Sequence, residues 1–317
     1  MCACRSVRSF ASRRLTRLRR VRIVLEAVPN VSEGRDADKV TAIGDALATH
    51  AMLLDVHSDP DHHRSVFTLA ADDAAIVESL LAGISTAVEL VDLREHTGVH
   101  PRVGAADVVP VVPLVPEDMP RAVTTARVLA RRIGAELGLA VFHYGEIGGG
   151  RRPAFFRRGG LDELRRRIDA GELVPDEGPR RIDSRSGAVL VGARKMLVAY
   201  NVDLATDDVS LALDVAAAVR GSSGGMPGVQ AIGLLLPGSG RIQVSMNVID
   251  VELAPLHEVV QRVRDEARAR GVEVSGGELV GLVPEGVARA AEAAGVDIPG
   301  VDETRVLESV LRSRLAE

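Results

Sequence analysis

Val229-Gln230-Ala231-Ile232-Gly233-Leu234-Leu235-Leu236, then Pro237-Gly238-Ser239-Gly240, then Arg241-Ile242-Gln243-Val244-Ser245-Met246-Asn247-Val248 is the stretch on which the fold turns. Two apolar runs flank a segment of Pro, Gly and Ser that reverses the chain. Beyond it Ile242, Val244, Met246 and Val248 alternate with Gln243, Ser245 and Asn247. That two-residue period marks a strand with one buried face. Strands joined by so short a turn run antiparallel, because a parallel pair needs a crossover of about a dozen residues or more. Outward from this hairpin, Thr206 or Asp207 caps a helix to Arg220, and Leu256, Val259, Val260, Val263 and Ala267 fall on one face of another. Ala188–Asp203 reads as one long strand or a strand pair, and Val272–Val283 as the last strand. The second half thus runs β-α-β-β-α-β.

The first half has the same order. Arg22–Val28 is a strand ending at Pro29, and Asp36 caps a helix to about Thr49. Met52–Val56 and Ser65–Ala70 are strands around the polar turn Ser58–His63. Asp72 or Asp73 opens a helix whose face is Ile76, Leu80, Ile84, Ala87 and Val91. Asp107–Leu114 is a strand, followed by a helix over 118–137 and the strand Ala140–Tyr144. Gly148–Pro179, rich in Gly and Arg, reads as a connector. The repeat predicts an α+β chain of two tandem ferredoxin-like (βαββαβ) subdomains with antiparallel sheets and a ligand tunnel between them. The expected divisions are 1–22 as a basic tail or overextended start, 23–179 with the connector, 180–295, and a helical tail at 296–317.

Composition narrows the function. Of 317 residues 46% are hydrophobic and 26% charged, which suits a globular chain. Residues 1–25 hold eight Arg and no acid, leaving 31 basic against 44 acidic side chains, a balance of −13. So acidic a body disfavours nucleic acid, whose phosphates need neutralising. No apolar run approaches the ~18 residues of a membrane span, so no membrane is expected and a cytoplasmic location is. Both cysteines, Cys2 and Cys4, precede the body, which excludes a thiolate nucleophile there. GxGxxG and P-loop patterns are missing, so dinucleotide and NTPase chemistry lacks support.

The densest chemistry lies in His96-Thr97-Gly98-Val99-His100-Pro101-Arg102-Val103-Gly104-Ala105-Ala106-Asp107. Imidazole suits general-base work because its ordinary pKa of ~6.5 lies near working pH. Arg102 suits a carboxylate, and Asp107 or His96 a support for the loop. His57-Ser58-Asp59-Pro60-Asp61-His62-His63-Arg64 is a second cluster; its spacing matches no zinc signature, so a charged turn is the plainer reading and no metal is expected. Arg151, Arg152, Arg157, Arg158, Arg165, Arg166 and Arg167 form a basic run that would steer a polyanion or simply cover a solvated helix face. Gly178–Gly187 offers hydroxyls, guanidiniums and backbone N–H groups at the crossing between the halves.

Several of these segments together resemble the formiminotransferase family in its stand-alone form, without a cyclodeaminase domain. The resemblance is carried by Val28-Pro29-Asn30-Val31-Ser32-Glu33-Gly34, His96-x-Gly98-x-His100-Pro101-Arg102-x-Gly104-Ala105-x-Asp107-Val108-Val109-Pro110, Pro175-Asp176-x-Gly178-Pro179, Val191-Gly192-Ala193-Arg194 and Gln243-Val244-Ser245-Met246-Asn247. It implies transfer of a formimino group between N-formimino-L-glutamate and tetrahydrofolate, the folate being a co-substrate, in histidine degradation. It implies that His100 is the catalytic base, that Gly178, Pro179, Arg180, Arg181, Ile182, Asp183, Ser184, Arg185, Ser186 and Gly187 contact folate, and that the protein is a homodimer. His57, and the step His62-His63-Arg64-Ser65, depart from the family's commoner Asp-Val-Asp and Asn-Arg-Thr. A transferase with another acceptor, a non-catalytic folate-binding protein, and a metal-dependent amidine hydrolase on His57, His62 and His63 are the alternatives.

Overall fold

The computed structural model describes residues 25–316. The expected basic tail lies outside them. The chain builds two sheets and is mixed α+β. In the first part β1 (Leu25–Ala27) and β2 (Asn30–Val31) precede helix α1 (Ala37–Leu47), the hairpin β3 (Met52–Asp59) and β4 (Arg64–Ala71), helix α2 (Asp73–Leu90) and β5 (Ala106–Pro113). Helix α3 (Met119–Glu136) and β6 (Ala140–Gly145) follow, then the short helices α4 (Pro153–Arg157) and α5 (Gly160–Asp169) and strand β7 (Ala188–Ala193). The second sheet contains β8 (Val198–Leu204), β9 (Val229–Leu235), β10 (Ile242–Val248) and β11 (Val274–Val280), with helices α6 (Val209–Val219) and α7 (Leu256–Ala269) between them. Helices α8 (Glu285–Ala293) and α9 (Leu307–Ala316) close the described chain.

The second sheet has the order β11-β8-β10-β9 and is antiparallel throughout. The quoted hairpin forms as read, Ile242 opposite Leu235 and Val248 opposite Val229. The first sheet has β3 beside β4, then β1 and β2, then β5, β7 and β6. It is not purely antiparallel as expected: β7 runs parallel to both β5 and β6. Ala188–Asp203 is therefore two strands in two different sheets, and the chain passes from the first to the second between Ala193 and Val198. The apolar character of both pieces concealed this, since a strand buried in either sheet looks alike in sequence. The first strand, β1, stops at Ala27, just ahead of Pro29. Pro29 lacks an N–H but its carbonyl accepts from Phe67 N at 3.0 Å, and Asn30-Val31 go on pairing with β4 and β5. Asp36 and Asp72 cap α1 and α2 as read, while α6 is capped one residue late, by Asp208.

The period-two alternation sorts side chains between core and site. On β5, Val109 and Val111 are fully buried in the helix-side core while Val108 and Pro110 face a cavity. On β8, Val198, Tyr200 and Val202 pack inward and Ala199 and Asn201 face the cavity. On β10, Ser245 and Asn247 do the same. The two sheets thus turn the faces opposite their long helices toward one cavity of about 460 Å³. The connector is a structured cap: Phe156 and Leu164 of α4 and α5 pack on Phe142 and Leu190. Helix α9 crosses back to the first sheet, where Leu307 meets Leu54 and Ala70. No described helix is long and apolar enough to cross a membrane.

Candidate active site

Two irregular segments meet at one end of the cavity. The turn between β3 and β4 brings His62 and His63 together with the loop that carries His96 and His100. His63 has φ 49°, the only left-handed non-glycine among the described residues. Consecutive imidazoles are thereby sent apart. His62 lines the cavity, while His63 stacks on His96 at 3.9 Å and sets its Nε2 3.0 Å from Glu33 Oε1. His96 Nε2 donates to the His63 carbonyl at 2.9 Å. Burial, then the Arg102 charge, pushes the His96 imidazole down to about 4. Gly98 allows this contact: a Cβ there would stand 2.2 Å from the His62 carbonyl oxygen. Gly34 does the same for the opening motif, with only 2.4 Å to the Asp59 carbonyl oxygen.

His100 lines the cavity. Its Nδ1 lies 2.8 Å from the Pro101 carbonyl, an acceptor only, so the hydrogen bond requires the proton on Nδ1. Nε2 is then left with its lone pair. Burial first, and next the Arg64 and Arg157 guanidiniums, holds this imidazole well below the ordinary histidine range. It is neutral at working pH, the state a general base needs.

Behind His100 lies a buried cluster. Asp107 is fully buried, accepting from Val103 N at 2.8 Å, from Arg64 Nη1 at 2.7 Å and from Arg157 Nη2. Burial opposes its ionisation, but the Arg157 and Arg64 charges outweigh that and keep the carboxyl far below its usual range. Burial also lowers Arg64, to about 10, which leaves it charged.

The placements of the other expected residues differ. His96, Arg102 and Asp107 are not in the cavity lining but hold the loop in shape. Arg102, expected to meet a substrate carboxylate, donates to the carbonyls of Gly98 and His100. Gly178–Gly187 also lies outside the lining. It runs behind the loop, where Ala105 N donates to Ser186 O at 2.8 Å and Gly104 pairs with Gly187, while Arg180, Arg181, Ser184 and Arg185 are exposed. Of the basic run, Arg151, Arg152 and Arg157 line the cavity with Arg194 and Lys195. Arg165 and Arg166 instead pair with acids of the same connector. His57, His62 and His63 face three separate carboxylates, Glu278, Asp59 and Glu33, and no described group of three or more His, Cys, Asp or Glu is placed to share a cation.

Residues that sequence reasoning missed include Glu26, Arg194 and the amides Asn30, Asn201, Gln230 and Asn247, all in the lining. Glu26 carried one signal, a lone acid within an apolar strand. Asn30, Asn247 and Arg194 stood in the quoted motifs without a role, and Asn201 and Gln230 carried only strand alternation, which does not tell solvent from cavity.

The N-terminal subdomain model of the formiminotransferase domain matches residues 24–194, and the formiminotransferase domain model matches residues 199–294. The chain belongs to the formiminotransferase family. It is 38% identical to a glutamate formimidoyltransferase of Thermoplasma acidophilum, covering 90% of this chain and 96% of that one. It is 38% identical to one of Streptococcus pyogenes serotype M1, covering 82% and 89%. A formimidoyltransferase-cyclodeaminase of Gallus gallus is 37% identical over 83% of this chain and 50% of its own. The boundary between the two formiminotransferase segments coincides with the passage from β7 to β8.

Proposed function

We propose that the protein is a cytoplasmic glutamate formimidoyltransferase that moves the formimino group between N-formimino-L-glutamate and tetrahydrofolate in histidine degradation. His100 is its general base. The observation that carries this reading is the geometry of His100: Nδ1 held 2.8 Å from the Pro101 carbonyl, and its ring at the cavity wall. A secondary amine attacking an amidine carbon must lose a proton, and a free imidazole nitrogen can take it without metal or covalent intermediate. The cavity volume lies within the ~300–1,000 Å³ of small-molecule sites. Its amides and the Glu26 carboxyl suit a polar heterocycle, and the guanidiniums of Arg151, Arg157 and Arg194 suit carboxylates. The strand order 2-3-1-4 of β1/β2, β3, β4 and β5, and the order 4-1-3-2 of β8 to β11, support reading each lobe as ferredoxin-like, with β6, β7 and the cap added to the first. In this reading Gly178–Gly187 backs the loop rather than gripping folate. A second reading, another amino-acid acceptor, is favoured by His57, whose Nε2 reaches across the lobes to Glu278 Oε1 at 3.5 Å.

The test is an assay of tetrahydrofolate with N-formimino-L-glutamate for wild type and His100→Ala, with tetrahydrofolate binding followed in parallel. The expected result is loss of turnover by ~10²–10⁴-fold with binding kept. Undiminished turnover in the variant refutes the base, and no wild-type turnover with this donor refutes the substrate.

A further inference from the structure

We propose that His62, oriented by Asp59, is a second catalytic residue, the proton donor to the leaving nitrogen in formimino transfer. The proposal rests on the transfer reaction and on His100 as its base, and deepens that reading.

His62 and His100 stand side by side in the cavity wall, ring centroids 6.0 Å apart. Their partners are opposite in kind. The Nδ1 of His100 meets a neutral carbonyl, and the guanidiniums of Arg64 and Arg157 act on the ring more strongly than the Asp107 carboxylate they share. The Nδ1 of His62 lies 3.1 Å from Asp59 Oδ2. The other oxygen, Oδ1, accepts from the His62 backbone N at 2.7 Å, so ring and backbone are held by one carboxyl group. Those contacts, over the effect of burial, hold Asp59 down at about 2, so it is ionised at neutral pH. Its charge compensates His62 when both ring nitrogens carry protons, and Nε2–H is then a donor. One imidazole held on a carboxylate beside another held on a carbonyl is a geometry suited to acid and base work side by side.

The reaction needs both. The secondary amine nitrogen of the folate donates its lone pair to the amidinium carbon, and the C=N π electrons move to the terminal nitrogen. The tetrahedral intermediate then carries an N–H⁺, whose proton passes to His100 Nε2. His62 Nε2–H transfers its proton to the glutamate nitrogen. The bond from that nitrogen to carbon breaks, its electron pair leaving with the amine, while the terminal nitrogen re-forms C=N. The products are formimino-folate, as the amidinium, and neutral glutamate amine. One imidazole has gained a proton and the other lost one, and exchange between the neighbouring rings or with water restores both. Without a donor the leaving group would be an amide anion.

Chemical rescue tests this. His62→Gly and His100→Gly are assayed with and without added imidazole at two pH values, tetrahydrofolate binding serving as the check on folding. We expect kcat of His62→Gly to fall ~10²–10⁴-fold, with rescue that follows the protonated form of imidazole. Rescue of His100→Gly is expected to follow the neutral form. Asp59→Asn, which retains both rings, is expected to lose at least about tenfold in kcat with little change in KM. Turnover of His62→Gly within threefold of wild type overturns the proposal. So does rescue that follows neutral imidazole, or undiminished kcat in Asp59→Asn. If His100→Gly keeps full turnover while His62→Gly shows acid-dependent rescue, the assignment of the base falls and the donor stands.

Discussion

Replacing Asp107 by Asn is the perturbation whose effect the structure defines best. The Asp107 side chain is fully buried and is shared by Val103 N, Arg64 and Arg157. Asparagine is nearly isosteric, and its amide oxygen can keep the 2.8 Å bond from Val103. What disappears is the negative charge, leaving two guanidiniums that are 9% and 14% exposed facing each other. Removing one partner of a buried ion pair costs about 3–5 kcal/mol. Sharing one carboxylate between two arginines places the expected loss at the upper half of that range, a fall of roughly three powers of ten in the folded ratio. Circular dichroism during urea unfolding is the assay, since the protein has no Trp to report by fluorescence. Asp107→Leu with Arg64→Met and Arg157→Met should recover most of the lost stability, because no charge is then buried. The pH dependence follows from the depressed carboxyl. Its stabilisation is complete above the unfolded value of ~3.9 and declines as pH falls from there toward the folded value. A loss below about 1 kcal/mol for Asp107→Asn would refute the argument, as would an unchanged acid limb of the stability profile.

Two further outcomes follow from residues at the lobe contacts and in the cavity. Asp61 accepts from Gly238 N at 2.5 Å and Ser239 Oγ at 3.0 Å, latching the β9–β10 turn to the first lobe. Asp61→Ala should cost about 1–3 kcal/mol and speed hydrogen exchange at Gly238 and Ser239; unchanged protection there would deny the latch. Burial pushes Glu26 up to about 7 from its ordinary 4.5. A raised carboxyl contributes most to stability below pH 4.5 and loses that contribution up to about pH 7. Glu26→Gln should therefore stabilise the protein at pH 8, by up to about 3 kcal/mol, and leave it little changed at pH 4. Equal effects at both pH values would show that Glu26 titrates normally.

Much of the site was legible because its geometry is local. Gly98, Pro101 and Gly104 keep the loop irregular, and His100 is its one imidazole facing the cavity. Arg102 and Gly178–Gly187 stand away from the cavity lining for a common reason. Residue chemistry says what a guanidinium or a free N–H can bind, but not whether the backbone reaches it first. Arg102 is taken by the carbonyls of Gly98 and His100, and the N–H groups of Ser186 and Gly187 are taken by the side chain and the carbonyl of Asp183. His62 had the chemistry to be noticed, but its partner Asp59 and its neighbour His100 become significant only when two segments separated in sequence meet.

The sequence by itself determined the element order, the antiparallel hairpin at Pro237–Gly240, the family and the loop that carries His100. All of these rest on spacing along the chain: period two, period 3.6, capping acids and glycines at fixed offsets. Only the tertiary structure decided that Ala188–Ala193 crosses back between β5 and β6, and that the polar faces of β8 and β10 turn toward a cavity rather than solvent. It alone decided that Asp107 is shared by Arg64 and Arg157, from positions 43 and 50 residues away. Long-range pairing and burial depend on which surfaces meet, and local spacing carries no record of that.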